Sequence, residues 1–297
     1  MPMSDPVPIL SLGAGVQSSC LALMAEAGEV LPKPVAAIFA DTQGEPRHGR
    51  TFNPKTNTWI EGGVYGWLDW LEQQLNFPVH RVTYGSLAVA STEVRISGKT
   101  GNTYSRTLVP AYIQDNITKQ KIGLLGRRCT AEYKIRPLLK AARRITKVPH
   151  GCKTVHVSQW LGISYDEVIR MKPSQVPWAE HRYPLIDLKM TRDDCFEWMK
   201  SHGYPKPPRS ACSFCPFHGD HEWLRLKNEE PASFQEAVDF EKKLQNACRQ
   251  ATGSAQLRGD VFLHASCVPL EEVEFKKIKS HAQLDMFANE CTGLCGV

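Results

Sequence analysis

The stretch Pro8-Ile-Leu-Ser-Leu-Gly-Ala-Gly-Val-Gln-Ser-Ser19 decides the fold. Residues 8–12 form a short apolar run and read as a buried strand. The small residues that follow let a backbone wrap closely around an anion, and glycine tolerates the positive φ angles of a tight loop. Residues 16–27 read as a helix with Leu21, Met24 and Ala25 on one face and Gly28 as its stop. A helix that starts at such a turn points its free N–H groups and positive dipole end back at the loop. Ser11, Ser18 and Ser19 add hydroxyls. The loop lacks the Gly-Lys-Ser/Thr of a P-loop NTPase and the GxGxxG of a dinucleotide site.

Working outward, 35–40 is a second apolar strand closed by Asp41, 59–75 reads as a helix, 79–84 as a third strand and 154–163 as a fourth. Strands alternating with helices predict an α/β fold, a Rossmann-like parallel sheet with helices on both faces. Residues 86–126 are polar and irregular, an insertion expected over the carboxyl edge of the sheet, where ligands sit in open α/β folds. Residues 131–145 read as a basic helix, 190–202 as a helix opened by Thr191-Arg-Asp-Asp, and 232–252 as an amphipathic helix with Phe234, Val238, Leu244 and Cys248 on one side. We expect a nucleotide-binding domain over 1–218 and a helical C-terminal extension with a cysteine-bearing tail over 219–297.

The chain has 297 residues, 42% hydrophobic and 23% charged, ordinary values that exclude a disordered, collagen-like or coiled-coil chain. No apolar run approaches the roughly 20 residues that cross a bilayer, and no signal peptide is recognisable, so we expect a cytoplasmic protein without a membrane partner. Cytosolic thiols stay reduced, which turns the ten cysteines toward metal binding, redox chemistry or packing. The net charge is +5, and 119–153 carries eleven Lys/Arg against the single acid Glu132. Such a block attracts phosphates, of a nucleotide or of a nucleic acid, and is equally the pattern of a solvated helix face.

Five motifs in order resemble the PP-loop ATP-pyrophosphatase and phosphoadenosine phosphosulfate (PAPS) reductase superfamily, in its PAPS-reductase-like branch with an adenine nucleotide alpha hydrolase-like fold. They are Ser11-Leu-Gly-Ala-Gly-Val-Gln-Ser-Ser19, Phe39-Ala-Asp-Thr-Gln-Gly-Glu45, Arg127-Arg-Cys-Thr-Ala-Glu-Tyr-Lys-Ile-Arg-Pro137, Leu161-Gly-Ile-Ser-Tyr-Asp-Glu-Val-Ile-Arg170, and Tyr183-Pro-Leu-Ile-Asp-Leu188 with Thr191-Arg-Asp-Asp194 and Ala211-Cys-Ser-Phe-Cys-Pro216. The resemblance covers about residues 8–218. It departs at Gln17, where the family mostly has Asp, which bears on whether Mg²⁺ is held there. The resemblance implies ATP or PAPS as the nucleotide, with Ser11, Gly13, Gly15, Ser18 and Ser19 on the phosphates. Asp41 would contact the nucleoside, Gly162 and Ile163 the adenine or ribose, and Lys134, Arg136 and Arg170 would neutralise phosphate.

Cys212-Ser-Phe-Cys215 can bind one metal with both thiols. The resemblance makes Cys129 the third ligand of a [4Fe–4S] cluster, and three thiolates leave one iron open. Zinc on Cys212, Cys215, His218 and His221 is the rival. In the tail, Cys291 and Cys295 resemble the mobile Glu-Cys-Gly nucleophile of PAPS reductases. They could attack sulfur and resolve as a disulfide, or one could supply a cluster ligand. Cys20, Cys152, Cys195, Cys248 and Cys267 read as structural. The expected activity is ATP-dependent activation of an acceptor, with sulfur transferred from an iron–sulfur or cysteine centre. The alternatives are PAPS or APS reduction with a thiol reductant releasing sulfite, and a non-catalytic nucleotide- or nucleic-acid-binding protein.

Overall fold

The computed structural model describes residues 5–276; Cys291 and Cys295 lie outside them. β1 (Val7–Leu12) leads through the glycine turn into α1 (Val16–Glu26), then β2 (Ala36–Asp41). A hairpin of β3 (Arg50–Asn53) and β4 (Thr58–Glu61) precedes α2 (Gly63–Glu72) and β5 (Val79–Thr83). The insertion holds α3 (Leu87–Thr92), β6 (Val94–Ile96), β7 (Thr103–Ser105), β8 (Tyr112–Asp115) and β9 (Lys121–Leu124). A π-helical turn, Thr130–Ile135, runs into α4 (Arg136–Ile145). Then follow β10 (Val157–Leu161), a 3₁₀ segment (Tyr165–Arg170), β11 (Ala179–Arg182), α5 (Pro184–Asp187) and α6 (Arg192–Ser201). α7 (Asp220–Glu229), α8 (Pro231–Arg249) and β12 (Gly259–Phe262) complete the order.

The central sheet runs β11-β10-β1-β2-β5, every pair parallel. The expected α/β parallel sheet with helices on both faces is therefore present. Its faces follow from strand periodicity, because successive side chains point to opposite sides. Leu10, Leu12, Ala37 and Phe39 enter the core beneath α1, α2 and α6, with Trp67, Leu71, Cys195 and Met199. Their neighbours Ile9, Ala36 and Ile38 enter the opposite core, with Leu138, Ala141 and Ala142 of α4. α1 is buried from Val16 through Ala25, packed between the sheet and α6. This explains an apolar surface on all sides rather than one stripe.

Three elements depart from the sequence reading. The helix expected over 59–75 begins only at Gly63, because 58–61 pairs with 50–53 as a hairpin; Trp59 is half exposed under the Arg50 guanidinium, 4.3 Å from its ring. The basic helix of 131–145 opens as a π turn. The sheet also has a fifth strand, β11, which no apolar run announces.

The 86–126 insertion and the C-terminal extension share one hydrophobic core. Leu108, Val109 and Ala111 pack there with Trp223, Leu226, Phe234 and Leu244. β12 pairs antiparallel with β8, in a sheet ordered β12-β8-β9. The extension is thus not purely helical, since it completes the insertion's sheet. α3 starts with Leu87 N–H donating to the Thr42 carbonyl at the end of β2, 3.0 Å away, which ties this lobe to the carboxyl edge of the main sheet. No helix among the described residues is long and apolar enough to cross a membrane.

Candidate functional site

β1 connects to β2 on one side and lies parallel to β10 on the other, so the direction in which the connections progress along the sheet reverses at β1. In open α/β sheets, ligands sit in the crevice that such a reversal leaves at the carboxyl ends. The β1–α1 loop and Gly162, just past β10, meet there. A Cβ at Gly162 would stand 2.7 Å from the Ser18 amide nitrogen, so only glycine lets this backbone lie against the start of α1.

In the loop, the left-handed conformation falls on Ala14 (φ 58°) and not on a glycine, a correction to the sequence reading. Gly15 is extended at the N-cap, with no side chain capping the helix and no acid in its first turn. A Cβ at Gly15 would meet nothing within 4 Å. It leaves open space over an uncapped helix end, the geometry in which free N–H groups can donate to an anion. The Gly13 amide donates to Ser18 Oγ at 3.1 Å, which closes the loop. Ser11 and Ser19 are oriented from below: Gln159 Nε2 donates to Ser11 Oγ at 2.9 Å and Trp67 Nε1 to Ser19 Oγ at 3.0 Å.

Gln17 is buried, and its amide donates to Glu167 Oε2 at 3.4 Å and Ser164 Oγ at 3.5 Å. Glu167 in turn pairs with Arg170 at 2.6 Å. Ile163, expected at the base or ribose, is buried beside Tyr183. Asp41 ends β2, where one carboxylate oxygen accepts from Tyr65 Oη at 2.8 Å and the Gln43 amide at 2.7 Å. Burial and this carboxylate push the Tyr65 phenol well up.

The basic block divides. Lys134 is buried and lines a small cavity with Gly13, Phe39, Glu45 and Ser210, its Nζ 3.9 Å from Glu45. Arg136 is exposed, and Arg143 turns to the Val148 and Pro149 carbonyls. Glu45, Glu167 and Arg192 stand inside the quoted motifs with no role assigned to them from sequence, and Arg209 stands outside the motifs. Arg192 opens α6 and is pulled below its ordinary pKa by burial, with Arg209 adding repulsion and Glu167 opposing it. Arg209 itself pairs with the buried Glu222 at 3.6 Å.

The thiols come next. Cys212 Sγ lies 3.2 Å from Thr42 Oγ1, and the Ser213 amide donates to the Gly44 carbonyl at 2.7 Å, so the Cys-x-x-Cys turn is stitched to the end of β2. Burial pushes the Cys212 thiol far up; Glu45 and Cys129 push the same way, against Lys134 and Thr42. Cys129, at the start of the π turn, and Cys215 abut the second core, of which Cys212 is a member. The donor chemistry fits a soft metal or iron–sulfur centre: sulfur ligands in apolar surroundings, where Cys212 and Cys129 repel as thiolates and a cation would relieve it. Among the described residues no three His, Cys, Asp or Glu side chains already stand as a metal-binding group. His218 Nε2 is turned to the Cys212 carbonyl at 2.9 Å, and His221 is exposed on α7, so this turn does not assemble the local Cys₂His₂ set. Cys20, Cys195, Cys248 and Cys267 are buried, whereas Cys152 is half exposed in a turn.

Comparison with protein-family models, with curated proteins and with solved structures gives no match.

Proposed function

We propose that the chain is a PP-loop-type enzyme that binds an adenine nucleotide and carries out sulfur chemistry, using ATP to activate an acceptor. One observation carries the reading. The small cavity lined by Gly13 and Lys134 also contains Glu45 and Ser210, two residues before Cys212, so an anion-binding loop and a buried thiol turn lie side by side. In this reading the loop N–H groups, Ser18 and Lys134 hold the phosphates, while Arg170, Arg192 and Arg209 balance charge at the mouth. An acceptor carbonyl oxygen attacks the α-phosphorus and pyrophosphate leaves; the outer sulfur of a cysteine persulfide, loaded by a sulfane-sulfur donor, then displaces AMP, and a second cysteine thiol cleaves the remaining S–S bond, leaving a disulfide that an external thiol reduces. Cys129, Cys212 and Cys215 would hold the iron–sulfur or zinc centre, which when bound supplies an ordered sulfur site. Asp41 and Gly162 would flank the nucleoside.

The test is product analysis with purified protein. Pyrophosphate released from ATP, and lost in Gly13→Val, supports the reading. Sulfite released from PAPS or APS replaces it with the reductase. Nucleotide binding without either product assigns a binding protein.

A further inference from the structure

A second cavity, of about 270 Å³, touches the Cys212 turn at Ser213 and Phe214 and shares no lining residue with the cavity at Gly13. One wall is the backbone of Gln43 and Gly44 with Ser213 and Phe214; the others are α3 and one face of α8. A Cβ on Gly44 would come within 2.7 Å of the Phe214 ring and 3.3 Å of the Cys212 sulfur, so this glycine lines the cavity and also abuts the thiol. Two cavities thus adjoin residues 210–214: the phosphate loop opens into the first, and nothing yet described uses the second.

The lining has two characters. Phe214 and Phe240 stack at 4.2 Å between centroids, and Val89, 65% exposed, faces the same space, giving an apolar floor and lip. Around them stand two cations, Arg47 and Lys243, and two anions, Glu236 and Asp239. Glu236, Asp239, Phe240 and Lys243 recur at spacings that place them on one face of α8. His48 engages Glu236 at 3.6 Å, and Asp239 accepts from the Gln235 amide at 2.9 Å, so Asp239 still has a carboxylate oxygen to offer. A polyanion brought here would meet both carboxylates, and a polycation both bases. A neutral apolar molecule would strip water from four charges without replacing it. A small molecule carrying one carboxylate and one ammonium group satisfies both signs at once.

We infer that this cavity binds a small zwitterion of the amino-acid class. Its ammonium group faces Asp239, its carboxylate faces Lys243 and Arg47, and its side chain lies on Phe214–Phe240, next to the Cys212 turn. The inference rests on the proposed function for its meaning, as the second-substrate pocket of the thiol site. Its ligand class is tested separately.

The experiment is ligand-observed saturation-transfer NMR titration with S-methyl-L-cysteine, whose thioether cannot exchange with protein thiols. Propylamine and propionate serve as single-charge controls, and ATP binding is measured in parallel. Signal from the amino acid and not from the controls is expected with the wild type and with Gly13→Val. At least a tenfold weakening is expected in Val89→Trp, which fills the cavity from an exposed position, and in Asp239→Lys. No signal with the wild type, equal signals from the controls, or undiminished binding in both variants overturns the inference. Failure of ATP to bind the wild type overturns the proposed function instead, and the amino-acid signal still decides the pocket.

Discussion

Gln17 donates its side-chain amide to the Glu167 carboxylate, and both residues are buried where α1 meets the segment after β10. An aspartate at position 17 would set two carboxylates against each other in a poorly solvated place. Gln17→Asp should therefore lower the melting temperature, by about 1–3 kcal/mol of stability, and Glu167→Gln in the same chain should recover most of the loss. Thermal denaturation of the four proteins of this double-mutant cycle gives the coupling. Additive losses would show that the two side chains do not interact.

Gly162 brings the β10 side against the start of α1. Gly162→Ala should push the Ser18 amide away, because backbone lies in the path and cannot swing aside as a side chain can. Overpacking of this kind costs about 1–3 kcal/mol. Pyrophosphate affinity, measured calorimetrically, should fall at least tenfold. Retained affinity would detach the 162 position from the anion site.

Trp67 and Ser19 have no measurable exposure, and the indole N–H has the serine oxygen as its acceptor. Ser19→Ala leaves that donor buried and unsatisfied, a loss of about 1–3 kcal/mol. Chemical denaturation should show a lower midpoint with an unchanged slope. Ser19→Thr, which keeps the hydroxyl, should lose less.

Glu222 lies between Arg225 at 2.8 Å and Arg209 at 3.6 Å. Burial raises its carboxyl, but the hydrogen bonds and charge of Arg225, with Arg209 and His218, outweigh it and hold the group below its usual 4.5. The unfolded chain thus binds this proton more readily than the folded one. The resulting stability is complete above the unfolded value and is lost as pH falls through the folded one. A melting-temperature profile from pH 7 to 3 should fall more steeply for the wild type than for Glu222→Gln. Parallel profiles would contradict the assignment.

Metal content separates the cysteines. Anaerobically purified wild type should contain iron and absorb near 400 nm, Cys212→Ser should contain none, and Cys248→Ser should match the wild type. Zinc alone in the wild type, or full iron in Cys212→Ser, would end the cluster reading. Deleting residues 290–297 should remove activity and leave the melting temperature unchanged. Loss of metal in that deletion would make a tail cysteine a ligand.

Strands covered on both faces are legible as continuous apolar runs, and the edge strand β5 is legible by its alternation. The runs ending at Leu12 and Ala40 announce β1 and β2 because alternate side chains enter two different cores. β11 is Ala-Glu-His-Arg, an edge strand with one neighbour, and carries no apolar run to find. The helix read from Trp59 ran too far because Trp59 and Ile60 are apolar, yet they belong to an exposed hairpin. At the site, the loop, Lys134 and Arg170 stood in motifs. Glu45 and Arg192 stood in motif stretches too, but the approach of Ser210 to Glu45, 165 residues along the chain, is a meeting that local pattern does not encode.

The pairing of β12 with β8 has a consequence for synthesis. The insertion's sheet cannot close until a strand from near the end of the chain arrives, and long-range pairings of this kind form late. The core that shelters Cys212 and abuts Cys129 and Cys215 is therefore unfinished while most of the polypeptide is being translated. The nascent chain presents open thiols to metal carriers and oxidants alike, and the arrival of β12 ends that interval.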